Sequence, residues 1–197
     1  MGKVYCFNPW CSDDLRKGTT AVDEGSTGKD KRDFETIIGS HFEHLLDLCF
    51  EDATAFSMQK GLWQNATDVS LEQELAPYEI RTIYTKKWFL WDLRDVPEED
   101  SWTMCQKMYR ATKEAKEILK VYFNEIFLGY TKDERDLKNY TLEDLCFFQG
   151  EKLFVGTKSH ESRLYVYPPS EAFEQEIMKL GVWEDASAYA KEFYIGE

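Results

Sequence analysis

DSWTMCQKMYRATKEAKEILKVYFNEIFL, residues 100–128, carries the strongest periodicity in the chain. At roughly 100° per residue, Trp102, Cys105, Met108, Tyr109, Thr112, Ala115, Leu119, Tyr122, Phe123 and Ile126 share one face. Lys107, Arg110, Lys113, Glu114, Glu117 and Lys120 fall on the other. Asp100 or Ser101 suits an N-cap, and Gly129 a stop. The spacing predicts one long amphipathic helix over 100–128, against which the rest of the chain would pack.

On its N-terminal side lie two β-like runs, Glu79–Tyr84 and Lys87–Arg94, rich in Ile, Tyr, Trp and Phe. They read as a hairpin, 79–94. Its segment Trp88-Phe89-Leu90-Trp91 is apolar on both strand faces, as a strand in the middle of a sheet or against two layers would be. On the C-terminal side, Leu145–Gln149, Lys152–Thr157 and Arg163–Tyr167 are joined by short connections, which predicts an antiparallel meander over 145–167. Ser170 then caps a helix to about Leu180, and a last helix is expected at 184–193. Nearer the N-terminus the pattern gives a helix at 33–50 capped by Asp33, a strand at 53–58 and a short helix at 70–76; a helical turn is expected within 133–144. The expected fold class is α+β, an antiparallel sheet of about five or six strands packed on the long helix.

Residues 12–33 are poor in large apolar side chains and contain Gly18, Gly25 and Gly28. Residues 1–33 therefore read as a flexible N-terminal arm, whose apolar tip (Val4, Tyr5, Phe7, Trp10) docks as a flap or added strand. Residues 34–197 read as a single α+β domain. The N-terminal residues lack the apolar core of about 7–15 residues that a secretory signal needs, so a cytoplasmic chain with reduced cysteines is expected. Cys49, Cys105 and Cys146 sit in apolar patterns and read as buried thiols.

The formal net charge is −13, which argues against a nucleic-acid binder, and no apolar stretch is long enough to span a membrane as a helix. More than half of the charge lies in residues 34–99, with 13 acidic and 5 basic side chains. If Glu51, Asp52, Asp68, Glu72, Glu74, Glu98 and Glu99 share a face, they would steer a basic protein partner toward it.

Chemistry-bearing motifs are sparse. His41 and His44 sit three apart on the first helix, but His41 falls in its apolar stripe and is expected buried, with His44 at the boundary. Cys6, Cys11, His41 and His44 could together form a zinc staple, although their spacing is far from that of a zinc finger. His160 and Glu161, with Arg163 beside them, occupy a hairpin turn, where rigid strands often hold binding residues. Tyr165 and Tyr167 share one strand face and, with Trp63, complete the candidate binding surface. No phosphate loop, dinucleotide fingerprint or nucleophile elbow occurs, and no cofactor is expected.

The reading is a small acidic, aromatic-rich, non-enzymatic protein-interaction module, of the physical type of an immunity protein that neutralises a basic toxin. The alternatives are a small-ligand binder or enzyme, with a pocket between sheet and long helix near His160 and Glu161, and the zinc-stapled scaffold. A tyrosine-faced edge strand would also let the chain pair with its own copy as a homodimer.

Overall fold

The computed structural model describes residues 2–7, 37–61, 67–94, 103–127 and 140–196. In chain order the elements are β1 (Tyr5–Phe7), α1 (Ser40–Asp52), β2 (Ala55–Lys60), α2 (Ser70–Leu75), β3 (Glu79–Thr85), β4 (Lys87–Trp88) and β5 (Trp91–Asp92). There follow β6 (Met104–Arg110), α3 (Lys113–Tyr122), β7 (Leu142–Gln149), β8 (Lys152–Lys158), β9 (Arg163–Val166), α4 (Glu171–Ile177) and β10 (Trp183–Asp185). The fold is α+β. Eight strands form one antiparallel sheet in the order β10-β1-β9-β8-β7-β2-β6-β3, and β4 and β5 form a separate hairpin. The apolar N-terminal tip enters this sheet as β1, between β9 and β10. Asp33, the rest of the 1–33 arm from residue 8 onward, and residues 100–102 lie outside the described residues.

The long helix is the main correction. Its first half is a strand, β6, set between β2 and β3, and only its second half is helical. In β6, Met104, Gln106 and Met108 alternate inward on one face while Tyr109 is buried on the other. A short run this apolar satisfies a period of two or of 3.6. Pairing with a strand on each side decides for two, because both edges of the backbone then find hydrogen bonds. The switch comes at Thr112, whose extended backbone ends the strand and whose Oγ1 accepts the Ala115 N–H at 3.2 Å. From there α3 buries Ala115 and Leu119.

The expected hairpin over 79–94 is also not formed. β3 pairs with β6, and Lys87–Asp92 folds back on itself through Phe89 and Leu90, with Leu90 at φ 59°. The double-sided apolarity of 88–91 therefore belongs to a turn lying on the sheet and not to a central strand. The helix expected at 184–193 is instead β10 followed by a single turn and an extended tail, in which Phe193 accepts the Leu153 N–H and Ile195 donates to Glu151. The meander is present as β7, β8 and β9. So is the helix begun by Ser170, whose Oγ accepts the Phe173 N–H at 3.1 Å. The helix expected from 33 starts at Ser40, since Ile38 pairs in extended form with Glu125. Of the turn expected at 133–144, residues 133–139 lie outside the described residues and Leu142 onward is strand.

Both faces of the sheet are covered. On one, Phe56, Tyr109, Phe147, Leu164 and Val166 pack beneath α1, α3 and α4 through Leu45, Leu119 and Ile177. On the other, Met108, Cys146, Phe148, Leu153, Tyr165 and Tyr167 lie beneath Trp88, Phe89 and Ala186. Each large apolar side chain buried in this way contributes about 1.5–3 kcal/mol. The register of β2 on β6 has a polar marker: Gln106 Nε2 donates to Gln59 Oε1 at 2.8 Å, between directly opposed and fully buried residues.

The first core also holds a hydroxyl without a hydrogen-bond partner among the described residues. Tyr109 is fully enclosed, its ring stacked on Phe56 at 5.2 Å, and its OH meets no donor or acceptor of the described residues. Burial, with Glu79 and Glu72 nearby, drives its pKa far above the ordinary 10.0. Tyr109→Phe removes an unsatisfied polar group and keeps the ring, so stability is expected to rise by about 1 kcal/mol. An unchanged or lowered denaturation midpoint would contradict this.

Candidate functional site

The β4–β5 hairpin and the C-terminal tail lie side by side on the second face and leave a groove between them. It encloses about 380 Å³. Its floor is Tyr165 and Tyr167, supplied by β9 and the residue after it; one wall is Trp88 to Asp92 and the other Tyr189 to Tyr194. The strand alternation that sends Leu164 and Val166 into the first core turns the two tyrosines to this side. They are not the exposed surface their pattern suggests: Tyr165 is 8% and Tyr167 7% exposed, and Tyr167 OH donates to the Lys191 carbonyl at 2.7 Å. Burial pushes the Tyr165 hydroxyl up to about 12. Neither tyrosine ionises near neutral pH. The accessible aromatic area comes from Trp91, Tyr189 and Tyr194 on the rims.

The hairpin is held in place by the residues around the β8–β9 turn. Trp91 Nε1 donates to Asp144 Oδ2 at 3.1 Å, and the Ser159 N–H donates to Asp144 Oδ1 at 2.7 Å. Asp144 is only 2% exposed and has φ 54°, a left-handed backbone that Asp tolerates better than most residues. Lys158 Nζ lies 4.0 Å from the centre of the Trp91 ring, 3.4 Å from the Leu90 carbonyl and 2.6 Å from Glu161 Oε1. The His160 ring is 5.0 Å from that of Trp91, and Arg163 Nε is 3.1 Å from Glu161 Oε2. Burial raises the Glu161 carboxyl, but the Lys158 hydrogen bond and the charges of Lys158 and Arg163 outweigh it and hold the pKa below 4.5.

His160, Glu161 and Arg163 are thus brought together beside the groove, where the His160 ring meets Trp91 and Glu161 bridges Lys158 and Arg163. Among the described residues no long helix offers a pocket a wall, and the groove lies between the β4–β5 hairpin and the C-terminal tail instead of between sheet and helix. Trp63 and Cys11 lie outside the described residues. Cys6 is half-buried in β1, whereas His41 and His44 are exposed on α1, His44 Nε2 standing 3.5 Å from Glu176. His41 is therefore not the buried residue its helical angle suggests, because α1 turns Phe42, Leu45, Leu46 and Cys49 inward instead. Among the described residues no group of three His, Cys, Asp or Glu side chains is placed to hold a metal ion. Cys49 and Cys146 are buried, and Cys6 and Cys105 are half-buried.

The acidic residues of 34–99 are partly consumed by ion pairs within the fold. Asp47 Oδ1 lies 2.5 Å from Lys116 Nζ and 2.9 Å from Lys120 Nζ, tying α1 to α3. Lys107 Nζ lies 3.1 Å from Glu72 and 2.9 Å from Glu79. Burial raises Glu72, but hydrogen bonds from Lys107, Lys60 and Thr141 outweigh it, and its pKa falls below 4.5. Asp68 accepts from Ser70, and Glu74 from Tyr122. Glu51 and Asp52 close α1 at its C-terminal end. Glu98 and Glu99 lie outside the described residues.

Two residues that hold Trp91, Asp144 and Lys158, carry no local signal in the sequence. Asp144 directly precedes an apolar strand run and meets Trp91 from 53 residues away, so only the folded topology pairs them.

Compared with known proteins, the chain matches no family model, no curated protein and no solved structure.

Proposed function

We propose that the protein is a non-enzymatic interaction module whose groove takes a basic, apolar segment of a partner protein. The observation that supports this most directly is the lining: Trp88, Trp91, Tyr165, Tyr167, Tyr189 and Tyr194 place aromatic rings on the floor and both walls. Aromatic faces carry negative potential and attract Arg and Lys side chains, while their area rewards an apolar neighbour. Lysines already use these rings within the chain: Lys158 stands over Trp91 and Lys152 over Tyr194, the latter at 5.8 Å. The net charge of −13 draws a basic partner in from a distance.

The test is a fluorescence titration with short peptides of equal length, one alternating Arg with Leu and one alternating Glu with Leu. The Arg–Leu peptide is expected to bind, less tightly at high salt. Tyr189→Ala removes an exposed wall residue and is expected to weaken it about tenfold, roughly 1.4 kcal/mol. Equal affinity for the Glu–Leu peptide, or an unchanged constant in Tyr189→Ala, would overturn the reading. The volume of about 380 Å³ also suits a small flat ligand, which is the second reading. Competition by free indole against the Arg–Leu peptide separates the two.

A further inference from the structure

The two ends of the sheet are built differently. At one end β10 has three residues and carries Glu184 and Asp185, and a short, charged edge of this kind resists pairing. At the other end β3 runs seven residues without proline and, among the described residues, pairs with β6 on one side only. It exposes Ile80 (48%) and Tyr84 (72%).

The backbone shows which groups this edge offers. The Ala111 N–H donates to the Thr54 carbonyl, so the hydrogen-bonded pairs between β2 and β6 fall at every second residue from there and include Met58 with Lys107. Lys107 thus turns its backbone groups toward β2, and its opposite neighbour on β3, Thr82, turns its own outward. The same alternation turns out the N–H and C=O of Tyr84. A register shift between Glu79 and Arg81 ends the regular part of the edge.

We propose that the protein forms a two-fold dimer in which β3 pairs antiparallel with β3 of a second copy, centred on Thr82. This register spans all seven residues, regular from Arg81 to Thr85, with Glu79 and Ile80 of each copy in the shifted stretch. It sets Thr82 against Thr82, where each exchanges the outward N–H and C=O, and it sets Ile80 of each copy against Tyr84 of the other. Arg81 faces Ile83 and Glu79 faces Thr85, so no like charges stand directly opposed. The two exposed apolar side chains are symmetric about Thr82, so a second copy supplies both apolar partners at the required spacing. The contact is independent of the groove. Each copy carries −13, so repulsion opposes assembly and added salt strengthens it, the reverse of the salt effect expected for the groove.

Sedimentation velocity across about 5–500 μM tests this at low and high salt, since a contact of this small size falls at the weak end of the range. The sedimentation coefficient is expected to rise with concentration, and more so with salt. Amide exchange at Thr82 and Tyr84 is expected to slow as concentration rises, while Ile83 and Thr85, already turned toward β6, stay constant. Thr82→Pro deletes an outward N–H, which an edge strand tolerates, together with the hydroxyl that donates to Glu79 at 2.7 Å, and is expected to be monomeric with an unchanged circular dichroism spectrum. Tyr84→Lys, on an exposed side chain, is expected to weaken the dimer at least tenfold and serves if the proline variant fails to fold. A wild-type chain that stays monomeric throughout would overturn the proposal. So would a dimer that leaves Thr82 exchange unchanged, or one that Tyr84→Lys leaves intact.

Discussion

Asp144→Ala is expected to lower stability by about 3 kcal/mol and to loosen the β4–β5 hairpin. The carboxylate takes hydrogen bonds from the Ser159 N–H and from Trp91 Nε1, and it is almost fully enclosed. Alanine leaves both donors without this acceptor, at about 1–3 kcal/mol for a buried one. It also places a residue with poor left-handed tolerance at φ 54°. Asp144→Asn keeps the backbone preference and one acceptor, and is expected to fall between alanine and wild type. Chemical denaturation measures the order, and equal midpoints for the three proteins would contradict it.

Asp144 also predicts a pH dependence. Burial raises its pKa above 3.8, against the hydrogen bonds from Ser159 and Trp91 that lower it. A raised carboxyl binds more protons folded than unfolded. Its contribution is fully present below the unfolded value and is lost as pH rises through the folded one. Asparagine does not titrate, so the cost of Asp144→Asn should shrink as pH rises from about 4 toward neutrality. A cost that grows with pH would show that the folded pKa is lowered instead.

The second large effect is expected at Gly156→Ala, with a loss of about 2–3 kcal/mol. A methyl group there would sit 2.5 Å from Cε1 and 2.6 Å from Cδ1 of Phe89, and 3.1 Å from Leu153 Cδ2. The Phe89 ring lies in the hairpin turn and is boxed by Tyr165, Tyr167 and Phe193 at 6.0, 6.4 and 6.2 Å. It cannot swing aside within that box, so the hairpin itself must lift. Gly156 does not line the groove, yet the substitution should weaken Arg–Leu peptide binding because it moves a wall. Adding Phe89→Leu should recover part of the stability, and strictly additive losses would contradict a direct clash.

What could be read early and what could not follows from the range of the deciding interaction. The β7–β8–β9 meander is legible because its connections are short and its alternation is local. The start of α4 is legible because Ser170 caps a backbone group three residues away. Over 100–128 the apolar positions fit two periods, and the choice was made by β2 and β3, whose backbones are remote in sequence. The aromatic run 88–91 showed that large apolar surface had to be covered, but not that a turn would lay it across β8 and β9. His160, Glu161 and Arg163 are neighbours in the chain, so their grouping was visible. That His160 would meet Trp91 was not.

The amino-acid sequence by itself determined an acidic, aromatic-rich chain of α+β type with an antiparallel meander, because composition and short-range alternation need no distant partner. Tertiary structure alone decided that β6 is a strand, that both faces of the sheet are covered, and that a hairpin and the C-terminal tail leave an aromatic groove between them. The physical reason is the same in each case. Backbone hydrogen bonds and buried rings are satisfied by residues far away in sequence, and no local pattern can name them.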